Sequence, residues 1–280
     1  ILTSAVTFST DIAPMIRAGL VPVFVDVTPD TFQIDVDAIE AMIGPRTKAI
    51  LAPNLIGNAP DWDRIREIAD RHGLKVVEDS CDALGLTLRG TPTGTRADDD
   101  EMADQALLLR RWGRRSEVQL FGSKKGVERS FFSTIDDGLE YDNLFIFDEV
   151  GWNFEPSELS AAFGLVQLDK LADNLARRQR NFEITGSYFA KYPELFTMPR
   201  LTEGVETGWH MFPALINDDS GIRRSELQQW MERNGVDTRM VWTGNATRQP
   251  AFRDTPHRAP EGGLPNADRV MESGIILPNN

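Results

Sequence analysis

Three short runs rich in β-branched and aliphatic residues alternate with two amphipathic stretches between residues 22 and 79, and that order leaves few folds open. Residues 22–27 read as a strand closing on an Asp-Val-Thr-Pro turn. Residues 35–43 have helical spacing, with Asp in the first turn to suit the helix dipole. Residues 48–53 form a second strand, stopped by Pro53 and Asn54. Residues 61–72 are an amphipathic helix with Gly73 as its stop, and residues 74–78 form the third strand. Short links in this order require a parallel sheet with right-handed crossovers. Ligands of such sheets gather beyond the carboxyl ends of the strands, where Asn54 and Asp79 stand.

Beyond the sheet the texture changes. Residues 102–112 read as a helix, residues 116–141 as a long loop with one hairpin, and residues 156–182 as one long helix. An apolar stripe of Leu159, Ala162, Phe163, Val166, Leu168 and Leu171 marks that helix. A strand at 210–216, a helix at 224–234 stopped by Gly235, and a strand at 238–242 then suggest a smaller domain. The expected division is a large domain over 1–185 and a small C-terminal α+β domain over 186–280.

Composition removes several function classes. The 280 residues carry a formal charge of −13, which opposes nucleic-acid binding. No apolar run approaches the roughly 20 residues needed to cross a bilayer, and Ile1-Leu2-Thr3-Ser4 lacks the features of a signal peptide. Cys81 is the only cysteine, so a disulfide framework is excluded and a reducing cytoplasm is expected. His72, His210 and His257 have no metal-ligand spacing.

The segment Val76-Val77-Glu78-Asp79-Ser80-Cys81-Asp82-Ala83-Leu84-Gly85 runs from a buried strand into two acids. It reads either as a strand-end turn with a capping Asp or as a carboxylate facing a cationic ligand at the mouth of the sheet. With Ala5-Val6-Thr7-Phe8, residues 22–27, Pro45-Arg46-Thr47-Lys48-Ala49-Ile50, Gly151-Trp152-Asn153 and Gln167-Leu168, in that order, it resembles the DegT/DnrJ/StrS family. These are pyridoxal 5′-phosphate (PLP) enzymes of nucleotide-sugar biosynthesis with the aspartate aminotransferase fold, type I.

The resemblance implies that Phe8 stacks on the cofactor ring, Asp79 pairs with the ring nitrogen, and Asp82 sits near the phenolic oxygen. It also implies a homodimer in which Asn153 reaches the cofactor phosphate of the neighbouring subunit. Leu55-Ile56-Gly57-Asn58, Cys81-Asp82, Arg110-Arg111-Trp112-Gly113-Arg114, Thr238-Arg239 and residues 244–250 resemble more narrowly the nucleotide-diphospho-4-keto-6-deoxyhexose 3-dehydratases. Those lyases use the amine form, pyridoxamine 5′-phosphate (PMP). A histidine stands there in place of the usual lysine, so the cofactor is not held covalently. One subgroup binds an iron–sulfur cluster through cysteines after the Trp-Gly-Arg motif. Residues 115–122 have none, so no cluster is expected, and the amine form would be regenerated from an amino donor such as glutamate.

The family's Lys or His belongs to a segment that should lie between Asp98 and Asp99, where this sequence runs directly from one to the other. The expectation is that the break marks a disordered active-site segment of a cofactor-free crystal rather than a true deletion; the Gly/Ser phosphate-binding turn would likewise precede Ile1. Lysine would make the protein a sugar aminotransferase, histidine a 3-dehydratase, and any other residue would favour a non-catalytic protein on the same fold. His210 is a candidate for sugar contact, or else a half-buried histidine. Arg239 and Arg248 are candidates for diphosphate or glutamate carboxylate, or else for surface ion pairs. Lys124-Lys125 and Arg110-Arg111 read as solvated charge, and Cys81 as a small buried residue.

Overall fold

The computed structural model describes residues 1–96, 100–126, 132–135 and 138–280. Strands β1 (Leu2–Ser4), β2 (Val23–Val25), β3 (Ala49–Pro53) and β4 (Lys75–Asp79) make an all-parallel sheet ordered β2-β1-β3-β4. Between them run α1 (Ser9–Arg17), α2 (Val36–Met42) and α3 (Trp62–His72). The local chemistry explains the boundaries: Asp35 and Asp61 accept backbone N–H groups at the starts of α2 and α3, and left-handed Gly73 ends α3. Leu2, Val25, Ile50 and Val76 meet Ile39, Trp62 and Ile65 in one buried cluster, and each such side chain contributes roughly 1.5–3 kcal/mol. The ladder continues past β3, because the Asn54 N–H donates to the Asp79 carbonyl at 2.8 Å. That bond fixes the carboxyl end of β4, where the site lies.

By its contacts the chain forms two compact units, Ile1–Ala97 with Lys170–Asn280, and Asp98–Asp169. The second unit contains α4 (Asp100–Arg110), the short α5 (Glu117–Leu120), a hairpin of Phe132–Thr134 with Glu140–Asp142, and α6 (Glu158–Leu168). Two sequence motifs pack together within it. Trp112 N–H donates to Trp152 C=O at 2.8 Å, Arg111 and Asn153 form a β-bridge, and a Cβ on Gly113 would stand 1.9 Å from the Glu149 carbonyl. Arg111 is not solvated as expected. It is paired with the fully buried Glu117 at 2.5 Å and with Glu155 at 2.8 Å, and its guanidinium lies 4.0 Å from the Phe121 ring centre.

In the first unit, α7 (Leu171–Phe189) packs on an antiparallel sheet of Gly274–Leu277, Phe212–Ile216 and Phe196–Thr197, together with α8 (Arg224–Arg233) and α9 (Pro265–Ser273). Phe182 stacks on Trp209 at 4.3 Å, and Phe189 meets Phe196 and Phe212. Buried Asp26, at the end of the strand that opens the sequence argument, accepts the N–H groups of Asn266 and Ala267 and so caps α9 from across the chain.

Three expectations are corrected. The single helix over 156–182 is two, because Asp169 and Lys170 turn the backbone and α6 and α7 belong to different compact units. The stripe on α6 is exposed, with Leu159 82% and Phe163 67% accessible. Residues 238–242 are not a strand; only Arg239 bridges Ile276, and Trp242 takes a positive φ.

The turn after β3 is tightly constrained. Gly57 has φ +78°, and a Cβ there would stand 2.5 Å from the His210 backbone nitrogen. Gly57→Ala should therefore cost about 2 kcal/mol or more, against about 1 kcal/mol for Gly73→Ala, which has a positive φ but open space. Urea denaturation of both variants checks the difference.

Candidate active site

Beyond the carboxyl ends of β3 and β4 opens a cavity of about 320 Å³ lined by Phe8, Thr10, Asn54, Leu55, Asp79, Cys81, Asp82 and Trp242, among others. Phe8 precedes α1 and presents its ring to the opening, 52% accessible despite its apolar chemistry. Asp79 is the last residue of β4. Its Oδ1 accepts the Cys81 N–H at 2.9 Å, which turns the chain after the strand. Asn54, fully buried, spans the two strand ends: its Nδ2 donates to Glu78 Oε1 and Ser80 Oγ, and its Oδ1 accepts Trp62 Nε1–H at 2.6 Å. Gln33 props the neighbouring turn by accepting Leu55 N–H and donating to Leu55 C=O.

That turn carries strain. Ile56 adopts φ 61°, exceptional for a β-branched residue, and Trp209 and Trp242 also have positive φ. Such conformations cost about 1–3 kcal/mol each and persist only where surrounding contacts impose them. The contacts are visible: Ile56 N–H donates to Asp82 Oδ2 at 3.2 Å, His210 N–H donates to Ile56 C=O at 3.1 Å, and the His210 ring meets Trp242 edge-on at 6.1 Å.

The electrostatics are unusual. Asp79 and Asp82 share the site with a third acid, Asp11 of α1, only 6% exposed and hydrogen-bonded by the Thr7 hydroxyl. Burial, with Asp79 and Asp82 as neighbours, pushes the Asp11 carboxyl up to about 7, and Thr7 offsets only part of this. Burial also raises Asp82, while the Ile56 N–H and His210 pull it back. Among the described residues the ion pair these acids make is a long one, His210 Nε2 to Asp82 Oδ1 at 3.9 Å. An exposed aromatic face beside half-buried carboxylates that, among the described residues, lack a close cation fits a flat cationic ring such as a pyridinium.

Of the residues singled out in the sequence, Phe8, Asp79 and Asp82 line one cavity, with His210 beside Asp82. Sequence reasoning did not find Asp11, Gln33, Trp62 or Trp242, because none stands at a strand end and burial of an Asp in a helix leaves no periodic signal. Arg239 pairs with Glu232 at 3.8 Å, and Arg248 with Asp268 and Glu272 at 2.9 and 2.8 Å; neither lines the cavity. Asn153, in the other unit, is exposed and accepts Glu155 N–H at 3.3 Å. Asp98 and Asp99 lie outside the described residues.

Cys81 is exposed rather than buried, because the Asp79 cap swings it toward the cavity. Its thiol is pushed up to about 11, first by its hydrogen bond to the Asp79 carboxylate. Alkylation at pH 8 should run roughly tenfold or more below the rate of a free cysteine, and Asp79→Asn should speed it. A rate equal to that of free cysteine would contradict this placement.

Comparison with known proteins agrees with the geometry. A model of the DegT/DnrJ/EryC1/StrS aminotransferase family matches in two pieces, residues 1–98 and 96–280, meeting where a family segment was expected. The chain is 30% identical over 299 positions to a lipopolysaccharide biosynthesis protein of Salmonella typhimurium, covering 97% of this chain and 67% of that protein. It is 33% identical over 300 positions to a dTDP-4-dehydro-2,6-dideoxy-D-glucose 3-dehydratase of Saccharopolyspora spinosa, covering 97% and 63%. The chain thus spans about two thirds of these relatives' length. Its fold superposes with a TM-score of 0.84 on an E. coli GDP-4-keto-6-deoxy-D-mannose 3-dehydratase solved with hydrated PLP bound, at 26% identity, covering 100% of this chain and 75% of that one. The architecture is the aspartate aminotransferase-like type I α/β fold, and relatives are PLP-dependent sugar 3-dehydratases and sugar aminotransferases. Matched by the family model over both pieces, residues 1–98 and 96–280, the chain belongs to the DegT/DnrJ/EryC1/StrS aminotransferase family.

Proposed function

We propose that the chain is a PMP/PLP-dependent enzyme that removes the 3-hydroxyl of a nucleotide-linked 4-keto-6-deoxyhexose in deoxysugar biosynthesis. The observation that carries the reading is the carboxylate cluster at the end of β4 under an exposed phenylalanine. When bound, the cofactor supplies a protonated pyridine ring that accepts electron density from the substrate. Asp79, held by the Cys81 N–H, keeps a proton on the ring nitrogen. Phe8 covers one face of the ring and excludes water from it. Asp82, oriented by the Ile56 N–H, stands for the phenolic side, and His210 beside it contacts the sugar.

Arg239 and Arg248 would take the diphosphate or the amino donor's carboxylate by exchanging their present acidic partners. The active unit is a homodimer in which Asn153 serves the partner's cofactor phosphate. The exposed apolar face of α6 supports an assembly that covers it. Glutamate is the proposed donor, and the single cysteine suits a reducing cytoplasm. Among the described residues no helix is long and apolar enough to cross a membrane. A division into a large domain over 1–185 and a small one over 186–280 remains part of the proposal.

Sugar amination on the same site is the second reading, favoured by the family's designation as aminotransferases. The Lys or His expected between Asp98 and Asp99 separates the two, since only lysine can bond the cofactor covalently and return it to transamination.

Incubation with PMP, glutamate and a nucleotide 4-ketohexose, read by mass spectrometry, is the test. A 3-deoxy product supports dehydration and an amino sugar supports the second reading. Tight cofactor binding without turnover would support a non-catalytic protein. Asp79→Asn should lower either activity roughly hundredfold or more, because charge developing on the ring would lose its fixed partner.

A further inference from the structure

Asp11 has no part in the roles above, yet it is the most deeply buried acid of the cluster. It sits in the first turn of α1, 6% exposed, with the Thr7 hydroxyl donating to its Oδ2. Among the described residues the groups facing it are acidic or neutral. Asp79 neighbours it from the end of β4, Asp82 from the turn that follows, and the Cys81 thiol stays protonated. His210 reaches this cluster only through Asp82, at 3.9 Å. A helix N-terminus favours a charged carboxylate, but burial beside Asp79 outweighs it here, and the Asp11 carboxyl is pushed up to about 7.

We propose that Asp11 is a positioning residue for the cofactor ring, acting through Asp79: it holds a proton while no cationic ring faces Asp79 and releases it when one does. The physical reason is charge. Two adjoining carboxylates, one of them buried, resist double ionisation. A ring cation against Asp79 removes that resistance, and ionised Asp11 then adds a second negative charge behind the first. Asp79 is thereby held toward the ring, and the ring nitrogen keeps its proton more firmly than one carboxylate would manage.

The inference rests on the cofactor reading of the cavity, and its test separates the two. In the full chain without cofactor, the Asp11 carboxyl titrates near 7 rather than at its ordinary 3.8. Stability from holding that proton is complete below about pH 4 and is lost as pH rises toward about 7. Wild-type Tm should fall across this window, while Asp11→Asn, which cannot ionise, should lack that part of the slope. Asp11→Thr gives the same comparison if the amide packs poorly.

Binding of PMP, chosen because its amine forms no covalent bond to a lysine, is then measured by calorimetry in buffers of different ionisation enthalpy. Wild type should release close to one proton more than Asp11→Asn at pH 6, and its affinity should rise about tenfold from pH 6 to 8 relative to the variant. Titrations of PMP itself are common to both proteins and cancel. Equal proton release and parallel affinity profiles would overturn the role of Asp11, even if the Tm slopes differ. Failure of wild type to bind PMP at all would instead overturn the cofactor reading.

Discussion

Two carboxylates lining one cavity and a third buried behind them cannot all be ionised cheaply without a positive charge among them, and this single constraint organises the site. Asp79 is delivered by the sheet, Asp82 by the turn beyond it, and Asp11 by the helix that follows β1. Each arrives on a different element, so the cluster follows from the fold and not from one local motif. The long Asp82–His210 pair balances only part of the charge. A flat cation between Phe8 and Asp79 would balance more of it, which is the physical content of the family resemblance.

Rigidity comes from neutral hydrogen bonds. Asn54 ties the ends of β3 and β4 to Trp62, and Gln33 holds the Leu55–Gly57 turn, whose positive-φ Ile56 then aims its N–H at Asp82. Gly57 lets that turn approach His210 closely enough for the Ile56 carbonyl to accept its N–H. The strain at Ile56, Trp209 and Trp242 is thus concentrated around the functional cavity, where strained backbone is commonly found.

Much of this was legible in the residue order. Short β-branched and aliphatic runs, helical spacing with Asp in the first turn of α2, and Gly73 located β2 to β4 and α2 and α3, because local propensity and tertiary packing agree there. Residues 2–17 escaped notice as strand and helix, since β1 is three residues long and Pro14 interrupts the pattern of α1. The break at Asp169–Lys170 carries no Gly or Pro, so periodicity alone ran through it. Strand-end acids such as Asp79 can be found by position. Asp11 cannot, because its importance comes from burial against residues about seventy positions away.

The central claim is that Asp79 holds a proton on the nitrogen of a bound pyridine ring. The most direct measurement is the nitrogen NMR shift of ring-labelled PMP bound to the full chain, followed to a pH at which the free cofactor has lost that proton. The account predicts a pyridinium shift in wild type and a neutral-pyridine shift in Asp79→Asn. A neutral ring in the wild-type complex would contradict it.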